Sequence, residues 1–506
     1  MVARAGGRRD ATERMTARGG GGDGMQATGS QPLTIAIAGA TGFVGEALCR
    51  ALGGRHRVIG LTRSRARAEA PERDDILWRQ CDLYSLRGLE RGLEGADCAI
   101  YLVHSMLPSA RLTQASFADL DLLLADNFAR AARRCGARQI LYVGGLTPDE
   151  GRLSPHLASR LEVERALASH GVPLTALRAG LIVGPGGSSL SILVNLVRRL
   201  PAMILPRWTE SLTQPIALDD VVRAVAHCVG NPECFGRTFD VGGPDVMTYR
   251  RMLDQVARSL EKRRFMVGVP FFSPRLSRLW VTLFSGASGA LVNPLIETLR
   301  HDMVCRENPL QERIAPGAAS FASALEASLA AGKLAPNPRH SLFRLERASL
   351  RRKSTVRSVQ RLVLPEGRDA RWVAAEYLRF LPHFVSPFLR CEIDAGACRF
   401  YLRGTRLLLM ELRFVPERSA GDRQLFDVVG GLFVRRGPGS RGRLEFRRVL
   451  DRRHALAAVH DFQPSLPWPI YGQTHARVHL WVMRGFARHL RRVSQGTASA
   501  ASTTPA

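Results

Sequence analysis

The chain has 506 residues, 45% of them hydrophobic, enough for two or three domains with sizeable cores. Its net charge of +27 rests on 69 arginines and three lysines (Lys262, Lys333, Lys353), a skew that fits a GC-rich genome as well as it fits an anionic partner. The nine cysteines are scattered with no Cys-x-x-Cys pair, which argues against a metal site or a disulfide framework and for reduced thiols in a cytosolic protein.

Residues 1–30 are rich in Gly and Arg and lack an apolar core segment, so they read as a disordered tail without a signal peptide; Met15 and Met25 are alternative starts. Leu33–Gly45, LTIAIAGATGFVG, is the first strong signal. An apolar strand-like run ends in Gly39, Gly42 and Gly45, and a helix-like segment (Glu46–Leu52) follows. Gly39 permits a tight turn, Gly42 lets backbone approach a pyrophosphate, and Gly45 lets the helix pack on its strand with its positive end toward phosphates. Further apolar runs follow at helix-length intervals. His56–Thr62 ends at Arg63, a third leads to Asp82-Leu83, and Asp97–Val103 precedes His104-Ser105-Met106. Gln139–Val143 ends in Gly144-Gly145, and a helix is expected at Phe117–Arg134. Strands alternating with helices predict an α/β Rossmann fold, a doubly wound parallel sheet with its ligand at the carboxyl ends of the strands.

At the end of the second strand stands Leu61-Thr62-Arg63-Ser64-Arg65, with no carboxylate for a ribose 2′-hydroxyl. A cation and a hydroxyl, Arg63 and Ser64, suit a 2′-phosphate, so NADP is expected over NAD.

Taken together, GATGFVG, Arg63, Asp82-Leu83, YLVHSM (Tyr101–Met106), RAGLIVGPG (Arg178–Gly186), TQPIALDDVV (Thr213–Val222) and FDVGGP (Phe239–Pro244) resemble the atypical short-chain dehydrogenase/reductases, the NmrA-like and complex I accessory-subunit-like proteins. The resemblance runs from Leu33 to about Lys333. It implies that Gly39, Thr41, Gly42, Phe43, Val44 and Gly45 line the pyrophosphate and that Arg63 and Ser64 face the adenosine phosphate. It places Asp82 and Leu83 at the adenine, and Leu102, Val103 and His104 beside the ribose and nicotinamide.

The chain departs from that family where the chemistry sits. Active members carry a Tyr-x-x-x-Lys pair and a hydroxyl residue at the end of strand five. None of the seven tyrosines here is followed four residues later by lysine. The best-aligned segment, His156-Leu157-Ala158-Ser159-Arg160, puts His156 in the tyrosine position and Arg160 in the lysine position, and Gly144 or Gly145 replaces the hydroxyl residue. Two readings stay open. Either His156 is a working acid/base with Arg160 clamping ribose and phosphates, or the site keeps the nucleotide and has lost its chemistry. His104 and Ser105 are alternative substitutes.

Beyond the sheet, Pro185–Leu299 is expected to form a small substrate-covering lobe and Phe321–Ala331 a closing helix, giving a first domain over 31–335. Leu279–Ile296 is apolar but broken by Gly286, Gly289, Asn293 and Pro294, so it reads as helix-break-helix rather than a membrane span. Residues 336–350 read as a linker. Residues 351–493 form a second unit: a strand (Val356–Leu364), a helix (Ala370–Leu381), six strand-like runs between Leu389 and Phe462, and a helix from Gln473 to Leu490. This order resembles the α+β helix-grip architecture of START-like and polyketide-cyclase-like domains, which encloses an apolar cavity. Residues 494–506 read as a disordered tail.

In the last helix Val478, Trp481, Val482, Phe486 and Leu490 recur at helical spacing, as a core-facing stripe or an interfacial membrane face. From Ser341 onward there are 30 basic and 13 acidic residues. An anionic partner, membrane headgroups above all, suits that surplus, and no nucleic-acid motif accompanies it. The sequence thus leads to three hypotheses: an oxidoreductase for an apolar carbonyl or quinone-like substrate, a non-catalytic NADP-sensing or assembly protein, and a lipid- or quinone-binding carrier. The expected location is the cytoplasm, peripheral to the inner face of the membrane.

Overall fold

A computed structural model of the protein describes residues 31–69, 76–104, 110–148, 153–269, 298–332, 355–386, 388–394, 396–435, 442–450 and 453–501. The expected tail at 1–30, the linker at 336–350, Leu279–Ile296, Ser105 and Met106 lie outside these residues.

The longer course of the first domain is set by the strands β1 (Thr34–Ala38), β2 (Arg57–Thr62), β3 (Ile76–Gln80), β4 (Cys98–Tyr101), β5 (Leu112–Gln114), β6 (Gln139–Gly145), β7 (Leu174–Ala179) and β8 (Thr238–Val241), and further short strands pair two by two beside them. Its main helices are α1 (Phe43–Leu52), α2 (Leu86–Leu93), α3 (Phe117–Arg134), α4 (Pro155–Ala168), α5 (Ser188–Arg199), α6 (Leu218–Cys228) and α7 (Tyr249–Ser259). All of the eight but β5 form one parallel sheet in the order β8-β7-β6-β4-β1-β2-β3. The order reverses between β1 and β4, the switch point where such sheets open a ligand crevice. Near-continuous apolar runs make these strands because both faces are covered. On one face α1 and α6 pack with Ile35, Ile37 and Leu141, and on the other α2, α3 and α4 pack with Ala36, Ile59 and Tyr101. A third core, around Trp208, Tyr249 and Phe321, fills the small lobe, in which α5, α7 and the helix Phe321–Ala330 meet.

The second domain contains β9 (Val356–Val363), α8 (Ala370–Val385), β10 (Leu389–Asp394), β11 (Ala397–Leu402), β12 (Leu408–Phe414), β13 (Arg423–Gly430), β14 (Gly442–Val449), β15 (His454–Phe462), α9 (Trp468–Gln473) and α10 (His475–Ala501). Its sheet runs β10-β11-β12-β13-β14-β15-β9, antiparallel throughout, with α8 and α10 against its inner face. This is the helix-on-sheet arrangement expected from the element order. Helix α10 continues beyond Leu490 to Ala501, into the stretch read as a tail. Of its apolar stripe, Val482, Phe486 and Leu490 are buried, whereas Val478 and Trp481 are 48% and 43% exposed, so the stripe faces the core only in part.

The two domains are not beads on a linker. β5, from the first domain, adds as an eighth strand, parallel to β9, with Leu112, Thr113 and Gln114 opposite Val356, Arg357 and Ser358. The outer face of the second sheet lies on α3. Alternation along β15 shows it: Ala455 and Ala457 enter the second domain's core, while Leu456 and Ala458 enter the core shared with α3. Helix α3 is therefore buried at every position from Leu120 to Ala132, although Asp121, Asp126, Asn127 and Arg130 lie within that run.

The buried polar groups of α3 are matched by arginines of the second sheet. Asp126 accepts from Arg130 (2.8 Å), Arg447 (2.7 Å) and His170 (2.8 Å). Burial alone would raise its pKa, but Arg130, Arg447 and His170 together hold it far below the carboxylate range. Arg130 also reaches Asp422 (2.5 Å), and Arg361 pairs with Asp119 and, through both terminal nitrogens, with Glu162. Glu445 ties Arg423 to Arg447, and these arginines keep it ionised against its complete burial. Part of the basic surplus is thus spent inside the molecule, not on its surface.

Candidate functional site

The glycine loop has the geometry its sequence calls for. Gly39 ends β1 at φ +91°, a conformation that L side chains rarely adopt, and its carbonyl accepts from Gly42 N at 2.9 Å. A Cβ on Gly45 would collide with the carbonyl oxygen of Gly39, so only glycine lets α1 start this close to β1. Gly42 caps α1 without a side-chain hydrogen bond, and Thr41 and Gly42 are exposed above the helix's positive end. Phe43 and Val44 are half-buried in the first turn. Such a cradle fits a pyrophosphate, because the loop's glycines leave its backbone uncovered above the start of α1.

At the adenosine end, Arg63 is exposed and, among the described residues, has no carboxylate partner. Ser64 caps the short helix Arg65–Ala68, accepting from Arg67 N at 3.3 Å. Asp82 is engaged on both oxygens: Oδ1 accepts from Tyr84 N (3.2 Å) and Oδ2 from Arg357 of the second domain (2.6 Å). The Arg357 guanidinium also lies 3.8 Å from the Tyr84 ring centroid. The Leu83 carbonyl accepts from Asn127 Nδ2 (2.9 Å), and Arg447 in turn donates to Asn127 Oδ1 (2.6 Å). Arg63, Gln80, Cys81, Asp82, Ser85, Gly88, Arg91 and Arg357 together line a polar pocket of about 410 Å³.

On the other side of the switch point, β4 leads into half-buried Leu102 and Val103 and then exposed His104. Ser154 caps α4 by accepting from Leu157 N (3.3 Å), which presents His156 in the first turn. His156 lines a pocket of about 360 Å³ with Phe43, Gly144, Gly145 and apolar side chains of the small lobe, among them Leu181, Leu193 and Trp208. Burial, with Arg160 and His104 close by, lowers its pKa to about 4, so the imidazole is neutral at pH 7. Its Nδ1 is buried and has no hydrogen-bond partner among the described residues. Desolvation and Arg160 pull His104 down as well.

Arg160 points elsewhere. It pairs with the buried carboxylate of Asp121 on α3 and lies beside the Tyr142 and Tyr101 phenols, whose pKa values burial raises. The structure therefore brings His156 into the pocket, leaves His104 close to it but outside the pocket lining, and holds Arg160 in an ion pair with Asp121. Asp121, Tyr142 and Arg357 are participants that motif reading missed. An acid inside the apolar run Leu120–Ala125 was the available signal for the first. No residue pattern announces Arg357.

Gly144 and Gly145 differ. A Cβ on Gly144 would meet the Tyr142 ring at 2.8 Å, whereas at Gly145 nothing lies within 4 Å. A hydroxyl side chain is thus sterically admissible at Gly145.

A separate cavity of about 170 Å³ lies in the second domain between sheet and helices. Its lining is apolar apart from Ser358, the two phenols Tyr377 and Tyr471, and His475 and His479. His479 Nε2 sits 3.0 Å from Ser358 Oγ, and burial lowers its pKa to about 4. Among the described residues no group of three or more His, Cys, Asp or Glu is arranged to hold a metal, and no helix is long and apolar enough to cross a membrane. All nine cysteines are free.

Residues 35–242 match the NAD dependent epimerase/dehydratase family. The match lies wholly within the first domain. Among curated proteins, the auxiliary protein GraX of Staphylococcus aureus is 27% identical over 113 residues, 22% of this chain and 36% of that protein. Ceramide reductase of Caulobacter vibrioides is 32% identical over 206 residues, 38% of this chain and 60% of that protein. The chain therefore spans less than two thirds of the length of either relative. Among solved structures, a nucleoside-diphosphate-sugar epimerase from Staphylococcus aureus superposes with a TM-score of 0.47 at 16% identity, covering 58% of this chain and all of that one. The range matched by the family takes in the glycine loop and the strands of the parallel sheet. The matched range stops at residue 242, before the second domain begins.

Proposed function

We propose that the protein is an NADP-dependent reductase of an apolar carbonyl or quinone-like substrate, with His156 as its proton-handling group. The observation that carries this reading is a neutral, buried imidazole in an apolar pocket that adjoins the glycine loop through Phe43. Arg63 and Ser64, with no acid beside them, support the phosphorylated dinucleotide. When bound, the dinucleotide supplies a hydride to the substrate carbon or takes one from it.

The chain's own residues do the rest. With Arg160 and His104 nearby, His156 resists protonation, so it acts as a neutral N–H donor to the carbonyl oxygen rather than as an imidazolium acid. As the carbon gains hydride, negative charge grows on the oxygen; the His156 N–H would hydrogen-bond to it and give it the proton, and the imidazolate left behind would take a proton back from solvent when the product leaves. The Arg160–Asp121 pair, fixed beneath, holds a constant field under the ring. The lobe residues Leu181, Leu193 and Trp208 keep water from the pocket. A ceramide reductase among the relatives supports an apolar substrate of lipid character.

The second domain's cavity suits storage or delivery of an apolar molecule, and the basic surplus after Ser341 suits docking on an anionic membrane surface. A non-catalytic, NADP-sensing role is the second reading, favoured by one observation: glycines stand where the family's hydroxyl residue would be, and no Tyr-x-x-x-Lys pair exists. NADPH oxidation with a panel of apolar ketones and quinones decides between them. The reductase reading predicts turnover that His156→Ala removes. Tight NADPH binding without turnover on any of them would leave the sensing role.

A further inference from the structure

We infer that the second domain completes the cofactor site by supplying Arg357 as an anion-binding residue for the phosphate on the adenosine ribose. This deepens the NADP reading above and rests on it. Strand β9 begins the second domain, yet the side chain of its second residue is a wall of the polar pocket at the ends of β2 and β3. Three guanidiniums line that pocket, Arg63, Arg91 and Arg357, with one carboxylate, Asp82; outside the lining, Asp461 lies 3.7 Å from Arg357 and is itself paired with Arg443 at 2.6 Å. Asp82 is already neutralised by Arg357 at 2.6 Å. The first turn of α2 opens on the same space through Ser85 and Gly88, adding the positive end of a helix. A pocket with this balance takes a multiply charged anion, and its position beside Arg63 is where the 2′-phosphate of NADP would lie.

Arg357 is the best-fixed of the three. Its side chain is 7% exposed, it lies on the Tyr84 ring, and its terminal nitrogen is held by Asp82. A planar guanidinium fixed in this way has little rotamer freedom left to lose when a phosphate arrives. The neighbouring adenine wall is braced from the same domain, since Arg447 holds Asn127 and Asn127 holds the Leu83 carbonyl. The adenosine end is therefore built by two domains, and discrimination between NADP and NAD depends on the second of them.

The test uses the full chain and measures equilibrium binding of NADPH, NADH, 2′,5′-ADP and 5′-AMP by titration calorimetry, with thermal melts to confirm folding. Arg357→Gln is expected to weaken NADPH and 2′,5′-ADP about tenfold, the scale of one lost charge-assisted hydrogen bond, while NADH and 5′-AMP stay within about twofold. Arg91→Ala, on the exposed side of the pocket, is expected to show the same selectivity with the domain interface untouched. Arg357→Lys keeps the charge without the planar stack and is expected to fall between wild type and Arg357→Gln. Equal weakening of NADPH and NADH in the Arg357 and Arg91 variants, or no weakening, overturns the inference while leaving the NADP reading standing. Failure of the wild-type chain to bind either dinucleotide overturns both.

Discussion

The pocket beside Gly145 and the cavity between α8, α10 and the second sheet are both walled by apolar side chains, but titratable groups stand differently in them. In the first, His156 stands in the pocket wall with His104 and the Arg160–Asp121 pair close by, next to Phe43 of the glycine loop. In the second, Ser358 and His479 bond to each other among apolar side chains of the sheet and helices, away from the glycine loop. Apolar walls select what enters. Whether anything is done to it depends on what charge and backbone stand at the wall. The proposed function puts turnover in the first region and holding in the second, and that contrast can be broken at several points.

The largest effect is expected at His156. Removing a positioned proton donor costs roughly 10²–10⁴ in rate, so His156→Ala should lose turnover on that scale with NADPH affinity preserved. Full activity in this variant would remove the distinction between the two regions. Next is the seam that joins them. Asp126→Ala leaves Arg130 and Arg447 without their shared buried carboxylate, and loss of one partner of such a pair costs about 3–5 kcal/mol. A lowered Tm in which both domains melt together is the expected result, and two separate transitions would mean that the regions are less coupled than the packing implies. Val459→Trp, which fills the second cavity, should cost about 1–3 kcal/mol and abolish uptake of a fluorescent fatty-acid probe. Turnover should persist at high substrate concentration, and its complete loss would show that the second region takes part in chemistry.

Acid titration gives a smaller, graded effect. His156, His479 and His460 all have folded pKa values lowered to about 4 by burial, against about 6.5 unfolded. Between those values the unfolded chain binds more protons than the folded one. Stability is therefore whole above pH 6.5 and is lost as pH falls toward 4. Asp126 and Glu445, held low by their arginines, add loss only at lower pH. Tm should decline by several degrees across that window, less in a His156→Ala, His479→Ala double variant. The smallest stability effect is expected for Gly145→Ser, which enters open space and should change stability by about 0.5 kcal/mol or less, whereas Gly144→Ser must displace the Tyr142 ring. If Gly145→Ser raises turnover, the missing hydroxyl was limiting.

Regular patterns carried most of the architecture in the sequence. The strands from Thr34 to Gly145 and the second domain's strand–helix–six strands–helix order follow from apolar runs and alternation, within a few residues at each end. The glycine loop was equally plain, because its positive φ and its close helix–strand approach demand glycine. What stayed hidden depends on long-range pairing. Strand β5 has three residues, too few to show a period, and its partner lies more than 240 residues away. Arg130, Arg357, Arg361, Arg423 and Arg447 carry no mark that separates them from dozens of surface arginines. Their burial follows from carboxylates on α3, α4 and the strands of the second sheet, which local reading cannot align with them. Arg160 occupies the expected helical position, but Asp121, invisible to the motif, sets where its charge points.

The β5–β9 pairing also bears on how the chain can be cut. A fragment beginning after the linker would lose the strand that covers Val356–Ser358 and would present an unpaired sheet edge to solvent. It would also uncover Leu456 and Ala458, which now pack in the core shared with α3. Such a fragment invites edge-to-edge association rather than a monomer. For recombination, the natural unit of inheritance is the whole span from Leu33 to α10, since a swap at the linker would separate a sheet from one of its own strands.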